Sequence, residues 1–252
     1  MRILYENLLL RQTTTLTATS EAIACPVNNI RNVFRTVPWR STGELATERV
    51  RADFADALPF SSMALADVSV VGSGTSIVAV ASDDDDTYVQ LATIPAQDAR
   101  PRATYAFFAP TSHRYAGFEF RAAAGNVLAE VGYAHIGGYW EPSAPGYLDN
   151  QQDISPAPAS IITESLDGQP ATAKRTPFHQ GTWPLRKLLD ADHDLVTEIF
   201  AAVERSTPIF VVLDQARPWA VYLSILMELK RRFRGNATTP LYDFDLTWRE
   251  AR

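Results

Sequence analysis

The chain has 252 residues, of which 46% are hydrophobic, and a formal net charge of −6. That is enough for one large or two modest domains with a real core, and the acidic balance argues against a general nucleic-acid binder, which needs a basic surface for phosphate. The single cysteine, Cys25, excludes an intramolecular disulfide and a cysteine metal cage, and the apolar run Leu8-Leu9-Leu10 is too short for a signal peptide or a membrane span.

Taken in order, Arg2 to Leu10 reads as a first strand, and the threonine-rich stretch Thr13 to Thr19 as a second. Cys25-Pro26-Val27-Asn28-Asn29 is a loop, because proline fixes φ and asparagine tolerates turn conformations. Arg49 to Phe54 alternates, with Val50, Ala52 and Phe54 on one face. Phe60 to Val71 is apolar enough for a buried strand, Gly72-Ser73-Gly74 turns the chain, and Ser76 to Ala81, Tyr105 to Ala109, Tyr115 to Phe120 and Leu128 to Ile136 continue the series. Many short strands separated by turn signals, with no long helix, predict an antiparallel β-sandwich over residues 1–142. Ser143 to Pro158 carries Pro145, Gly146, Pro156 and Pro158 with few aliphatics, the composition of a linker.

Residues 159–252 follow a different pattern. Ala159 to Leu166 and Pro170 to Phe178 flank Asp167-Gly168, a hairpin-turn pair, and Gly181 to Leu188 adds an extended piece. Asp190-Ala191-Asp192 caps a helix predicted to run to about Ser206, with Leu195, Val196, Ile199, Phe200 and Val203 on one stripe. Pro208 stops it, and Ile209 to Leu213 is a buried strand expected to pack against that stripe. Trp219 to Arg234 fits two periods, one helical and one alternating. A strand over 220–232 gives the alternating segment 241–249 a partner, so the expected C-terminal fold is α+β, an antiparallel sheet with one main helix.

No catalytic constellation stands out. Asp83-Asp84-Asp85-Asp86 lacks the spacing and glycine of a calcium loop and reads as a solvated strand end. Gly72-Ser73-Gly74 has no lysine after it, so it is a turn and not a phosphate loop. The four histidines, His113, His135, His179 and His193, show no zinc spacing, and Gly-x-Ser-x-Gly is absent. Neither a metal nor a cofactor is expected. Lys230-Arg231-Arg232-Phe233-Arg234 is the one basic cluster, and the aromatics Trp39, Tyr139 and Trp140 suit either a core or a sugar-stacking platform.

Several stretches follow one another in a familiar order. These are Ile3-Leu4-Tyr5-Glu6-Asn7-Leu8-Leu9, Cys25-Pro26-Val27-Asn28-Asn29-Ile30, Trp39-Arg40-Ser41-Thr42-Gly43 and the run Glu130 to Pro142. Together they resemble the galactose-binding-like (discoidin-type) jelly-roll domains of bacteriophage tail proteins. Ala66-Asp67-Val68-Ser69 stands where such domains often carry a His-Asn-Leu turn. The second half is similar to tail-tube and hub modules.

The resemblance implies a non-enzymatic structural component of a phage tail, a distal-tail or baseplate ring or adaptor. It would be assembled in the host cytoplasm into the virion, as a homo-oligomeric ring with other tail or baseplate proteins, without nucleic acid or membrane insertion. Arg231, Arg232 and Arg234 on one side and Asp192 and Asp194 on another would then meet head to tail between subunits. The alternative is a carbohydrate-binding module contacting a glycan on the host cell surface through Trp39, Tyr139 and Trp140.

Overall fold

The computed structural model describes residues 1–32, 37–95, 103–143, 153–157, 161–164, 170–173, 178–203, 206–215, 220–236 and 239–251. Its strands are β1 (Arg2–Asn7), β2 (Thr15–Ala18), β3 (Trp39–Arg40), β4 (Thr47–Ala66), β5 (Ser69–Ser73), β6 (Ser76–Ser82), β7 (Val89–Ile94), β8 (Ala103–Arg121), β9 (Ala124–Val131) and β10 (Tyr133–Trp140). Then come β11 (Asp153–Ala157), β12 (Ile161–Glu164), β13 (Pro170–Ala173), β14 (Phe178–Leu188), the helix α1 (Asp190–Val203), β15 (Ile209–Val212), β16 (Val221–Asn236) and β17 (Thr239–Glu250). The protein is mainly β and divides into two compact units. The first is Met1–Glu141 with Phe210–Leu223, and the second is Pro142–Ile209 with Ser224–Arg252.

The first unit is a β-sandwich. One antiparallel sheet runs β15-β1-β10-β4-β8-β6-β7, with β2 also on β4, and a smaller sheet runs β3-β9-β5. Alternation decides which side chains fill the space between them. Val50, Ala52 and Phe54 of β4 and Phe118 and Phe120 of β8 join Trp39, Val127, Ala129 and Val131 of the small sheet in one buried cluster. Full burial of each large side chain stabilises by about 1.5–3 kcal/mol.

Several expected strands merge or move. The segments 49–54 and 60–71 lie largely in the single strand β4, and 105–109 and 115–120 are both parts of β8. The break that the sequence suggests is a bulge. Ala55 takes a φ of 68°, its N–H donates to the Asp53 carboxylate at 2.8 Å, and the pairing with β8 shifts between Asp53 and Leu58. Leu8–Leu10 is a 3-10 turn and not the end of β1, because the Asn7 side chain accepts from the Leu9 N–H at 3.1 Å. The chain reverses at Gly74, whose φ of +59° suits glycine.

The strand at 209–213 differs most from expectation. It pairs antiparallel with β1, Leu4 opposite Phe210 and Arg2 opposite Val212, and so extends the large sheet of the first unit, whereas the sequence places it in the core of the second. An apolar run buried on both faces fits any sheet interior, so its composition does not name its partner.

In the second unit, β11-β14-β17-β16 form an antiparallel sheet and β12 pairs with β13. The 220–232 segment is a strand: β16 pairs with β17 from Ser224 opposite Glu250 to Asn236 opposite Thr239. Val196, Ile199 and Val203 are the buried hydrophobics of α1, which packs on β17, while Leu195 and Phe200 are only half-buried. Asp153–Ala157, within the stretch whose composition reads as a linker, is the edge strand β11, where Pro156 is tolerated. The Asp167-Gly168 turn lies outside the described residues.

Candidate functional site

Of the three aromatics that suggest a sugar platform, the fold withdraws two. Trp39 is fully buried, its ring 5.6 Å from that of Phe120, and its indole N–H donates to the Ser20 carbonyl at 3.3 Å. Trp140 is 4% exposed. Both belong to inward-facing positions, so neither offers a ring face to solvent. Tyr139, one residue earlier on β10, points to the opposite face of the sheet and is half-buried.

There Tyr139 joins residues that no local pattern connects to it. Its ring is 4.8 Å from Phe107 of β8, and Phe107 is 5.1 Å from Tyr105, so three half-buried rings form a strip. Ser62 of β4 pairs with both Gly137 and Phe107, so a small side chain occupies the strand between the two rings. Gly137 admits β1: a Cβ there would stand 1.7 Å from the Glu6 carbonyl oxygen.

Arg2 of β1 lies over this strip. Its guanidinium carbon is 4.3 Å from the Phe107 centroid and 4.5 Å from that of Tyr139, a cation–π arrangement. Glu141 accepts from Nε at 2.9 Å and forms an ion pair with Nη2 at 2.8 Å. In the amide orientation that satisfies both groups, the Gln215 oxygen also accepts from Nε at 2.9 Å. Nη1 has no acceptor among the described residues, and Glu141 is 43% exposed. Burial raises the Tyr105 phenol above its ordinary value, and the Asp214 charge adds to the effect. The result is an oriented guanidinium whose Nη1 has no acceptor among the described residues, a carboxylate and a strip of mutually tilted rings, all on one sheet face.

Two other polar regions are closed on themselves. Asp84 of the Asp83–Asp86 run accepts from the backbone N–H groups of Asp86 and Thr87 and from the Ser82 hydroxyl, which holds its carboxyl down to about 2. Asp85 binds Arg51 and the Tyr88 hydroxyl; burial, then the bond to Asp85, pushes Tyr88 up to about 12. On the adjacent strands Arg49 and Arg121 share the buried Glu119 carboxylate.

The expected subunit-interface charges also fall differently. Asp192 is 3% exposed and accepts from the Ser143 N–H and hydroxyl at 3.2 and 3.0 Å, so it caps structure internally. The basic run alternates across β16: Arg231 and Phe233 lie on one face, Lys230 and Arg232 on the other, where Arg232 approaches Asp245 at 3.7 Å. Of Arg234, only the backbone pairing with Leu241 is described. Arg231 donates to His193 Nε2 at 3.1 Å, which leaves Nδ1 to donate to Asp194 at 2.7 Å. Arg231 and Asp194 thus share His193 within one subunit.

No family model and no curated protein sequence matches the chain. Among solved structures it is similar to CpGH89CBM32-6, produced by Clostridium perfringens, at 16% identity and a TM-score of 0.43, covering 52% of this chain and 98% of that one. It is also similar to the family 32 carbohydrate-binding module of C. perfringens NanJ in complex with galactose, at 15% identity and TM-score 0.41, covering 56% and 100%. A third is chitosan-binding module 1 from the chitosanase/glucanase of Paenibacillus sp. IK-5, at 13% identity and TM-score 0.43, covering 52% and 98%. Nothing in these comparisons points to a phage tail or baseplate.

Proposed function

We propose that the first unit is a carbohydrate-binding module and that Arg2, Tyr105, Phe107, Tyr139 and Glu141 form its contact surface. The observation that carries this reading is the Arg2 guanidinium, held over Phe107 and Tyr139 and tied to Glu141, with no acceptor for Nη1 among the described residues. Sugars present apolar C–H faces and ringed hydroxyls. Aromatic rings meet the first, and planar charged groups with fixed donors and acceptors meet the second. The arrangement is preorganised, so little ordering entropy is lost on binding. TM-scores near 0.4 support no inference about the ligand, and the reading rests on this cluster. No observation of fold or site favours a tail ring over it.

The test is calorimetric titration of the full chain with galactose, N-acetylgalactosamine and glucosamine oligomers. Arg2→Ala should weaken the best of these by about tenfold or more, equivalent to about 1.4 kcal/mol. Absence of binding to every sugar on a broad glycan array, or unchanged affinity in both Arg2→Ala and Tyr105→Ala, would overturn the proposal.

A further inference from the structure

In the second unit, an aromatic ladder runs along the face of β16 and β17 that carries α1. Phe244 is fully buried, Tyr242 is half-buried, and Phe233, opposite Tyr242 in the register, is 59% exposed. The last two rings meet edge to face at 5.5 Å. His193, from the first turns of α1, lies on Tyr242 with centroids 4.1 Å apart, and marks where the ladder emerges beside the helix. An exposed phenylalanine at the end of a well-packed row gains nothing from burial in this chain.

The rim of this ledge is polar and slightly acidic. Asp190 lies close enough to the Tyr242 hydroxyl to raise its pKa, Asp194 accepts from His193, and Arg231 donates to the other nitrogen of that ring. Asp190 is exposed and the Asp194 side chain is 75% exposed, so both carboxylates have acceptor capacity open to solvent. Two carboxylates against one guanidinium disfavour an anionic ligand. The exposed Phe233 ring beside solvent-open acceptors and donors suits a neutral polyhydroxylated one.

We infer that the second unit carries a saccharide-binding surface of its own, with Phe233 and Tyr242 as the stacking rings and Asp190, Asp194 and Arg231 as hydroxyl partners. It stands on residues other than those proposed in the first unit, so either site can fail without the other. The experiment titrates galactose, glucose and N-acetylglucosamine into the full chain and into the variants Arg2→Ala, Phe233→Ala, Asp194→Asn and Arg2→Ala/Phe233→Ala. Phe233 and Asp194 are exposed, and an unchanged melting temperature checks that their variants remain folded. The expected result is two sites in the wild type, one of them weakened about tenfold or more in Arg2→Ala, the other weakened as much in Phe233→Ala and in Asp194→Asn, and both weakened in the double variant. Loss of all binding in Arg2→Ala alone, affinity in the Arg2→Ala background unaffected by Phe233→Ala, or no binding of any of the three sugars would overturn it. Binding lost through Phe233→Ala but untouched by Arg2→Ala would support this site and remove the other.

Discussion

The ring of Phe210 stands edge-on to the buried imidazole of His135, their centroids 6.2 Å apart and their planes at 70°. Phe210 also lies 6.1 Å from Tyr133 and is fully buried, on a strand whose pairing partner is β1. Phe210→Ala should therefore lower the unfolding free energy by about 3–5 kcal/mol. Denaturant titration measures this. A loss below about 1 kcal/mol would mean that the ring does not sit in the core. Because Phe210 is opposite Leu4, the two truncations should couple in a double-mutant cycle by about 0.5 kcal/mol or more.

His135 makes the fold acid-sensitive. Burial lowers its pKa from 6.5 to about 3, and a hydrogen bond to the Gly138 backbone only partly offsets this. The folded state thus binds the proton less readily than the unfolded chain. Between those two values the unfolded state holds more protons, so this histidine's contribution is full above pH 6.5 and falls as the pH drops toward 3. The slope approaches about 1.4 kcal/mol per pH unit. Unfolding of wild type and His135→Phe, compared from pH 7 to 4, should show a shallower acid loss in the variant. Parallel curves would contradict the assignment.

Neighbouring glycines on β10 should behave in opposite ways. A Cβ at Gly137 would overlap the Glu6 carbonyl oxygen at 1.7 Å, whereas one at Gly138 meets nothing within 4 Å. Gly137→Ala should force β1 away and cost about 1–3 kcal/mol or more, and Gly138→Ala should stay within about 0.5 kcal/mol of wild type. Thermal melts of the two variants decide it. Since Arg2 rides on β1, Gly137→Ala should also weaken any saccharide bound there.

The two helix-start aspartates should also separate. Asp192 is buried and serves Ser143, while the Asp194 side chain is 75% exposed. Asp192→Ala leaves donors without their acceptor and should cost about 1–3 kcal/mol. Asp194→Ala should change stability by less than about 0.5 kcal/mol. Equal effects in denaturant titrations would show that burial does not distinguish them.

Period-two alternation by itself determined much of this protein. Val50, Ala52 and Phe54, or Ala116, Phe118 and Phe120, can bury only one face of a strand, so a mainly β chain with an inward row followed from the residues alone. The helix start at Asp190 was equally legible, and of the stripe Leu195, Val196, Ile199, Phe200 and Val203 expected to run to about Ser206, the helix Asp190–Val203 buries Val196, Ile199 and Val203. The same alternation splits the basic run at 230–233 across two faces once that segment is a strand.

What only the tertiary structure decided is which segment pairs with which. Ile209 to Val212 is apolar on both faces and carries no mark that names β1 as its neighbour. Trp39, Tyr139 and Trp140 are alike in type, yet a one-residue step along β10 separates a buried indole from a half-buried phenol. Arg2, Phe107 and Tyr139 come from three strands far apart in sequence, and their stack exists because strand order and register place them on one face. Local propensity acts over a few residues, whereas register is set by the packing of whole sheets, and the candidate site depends on register.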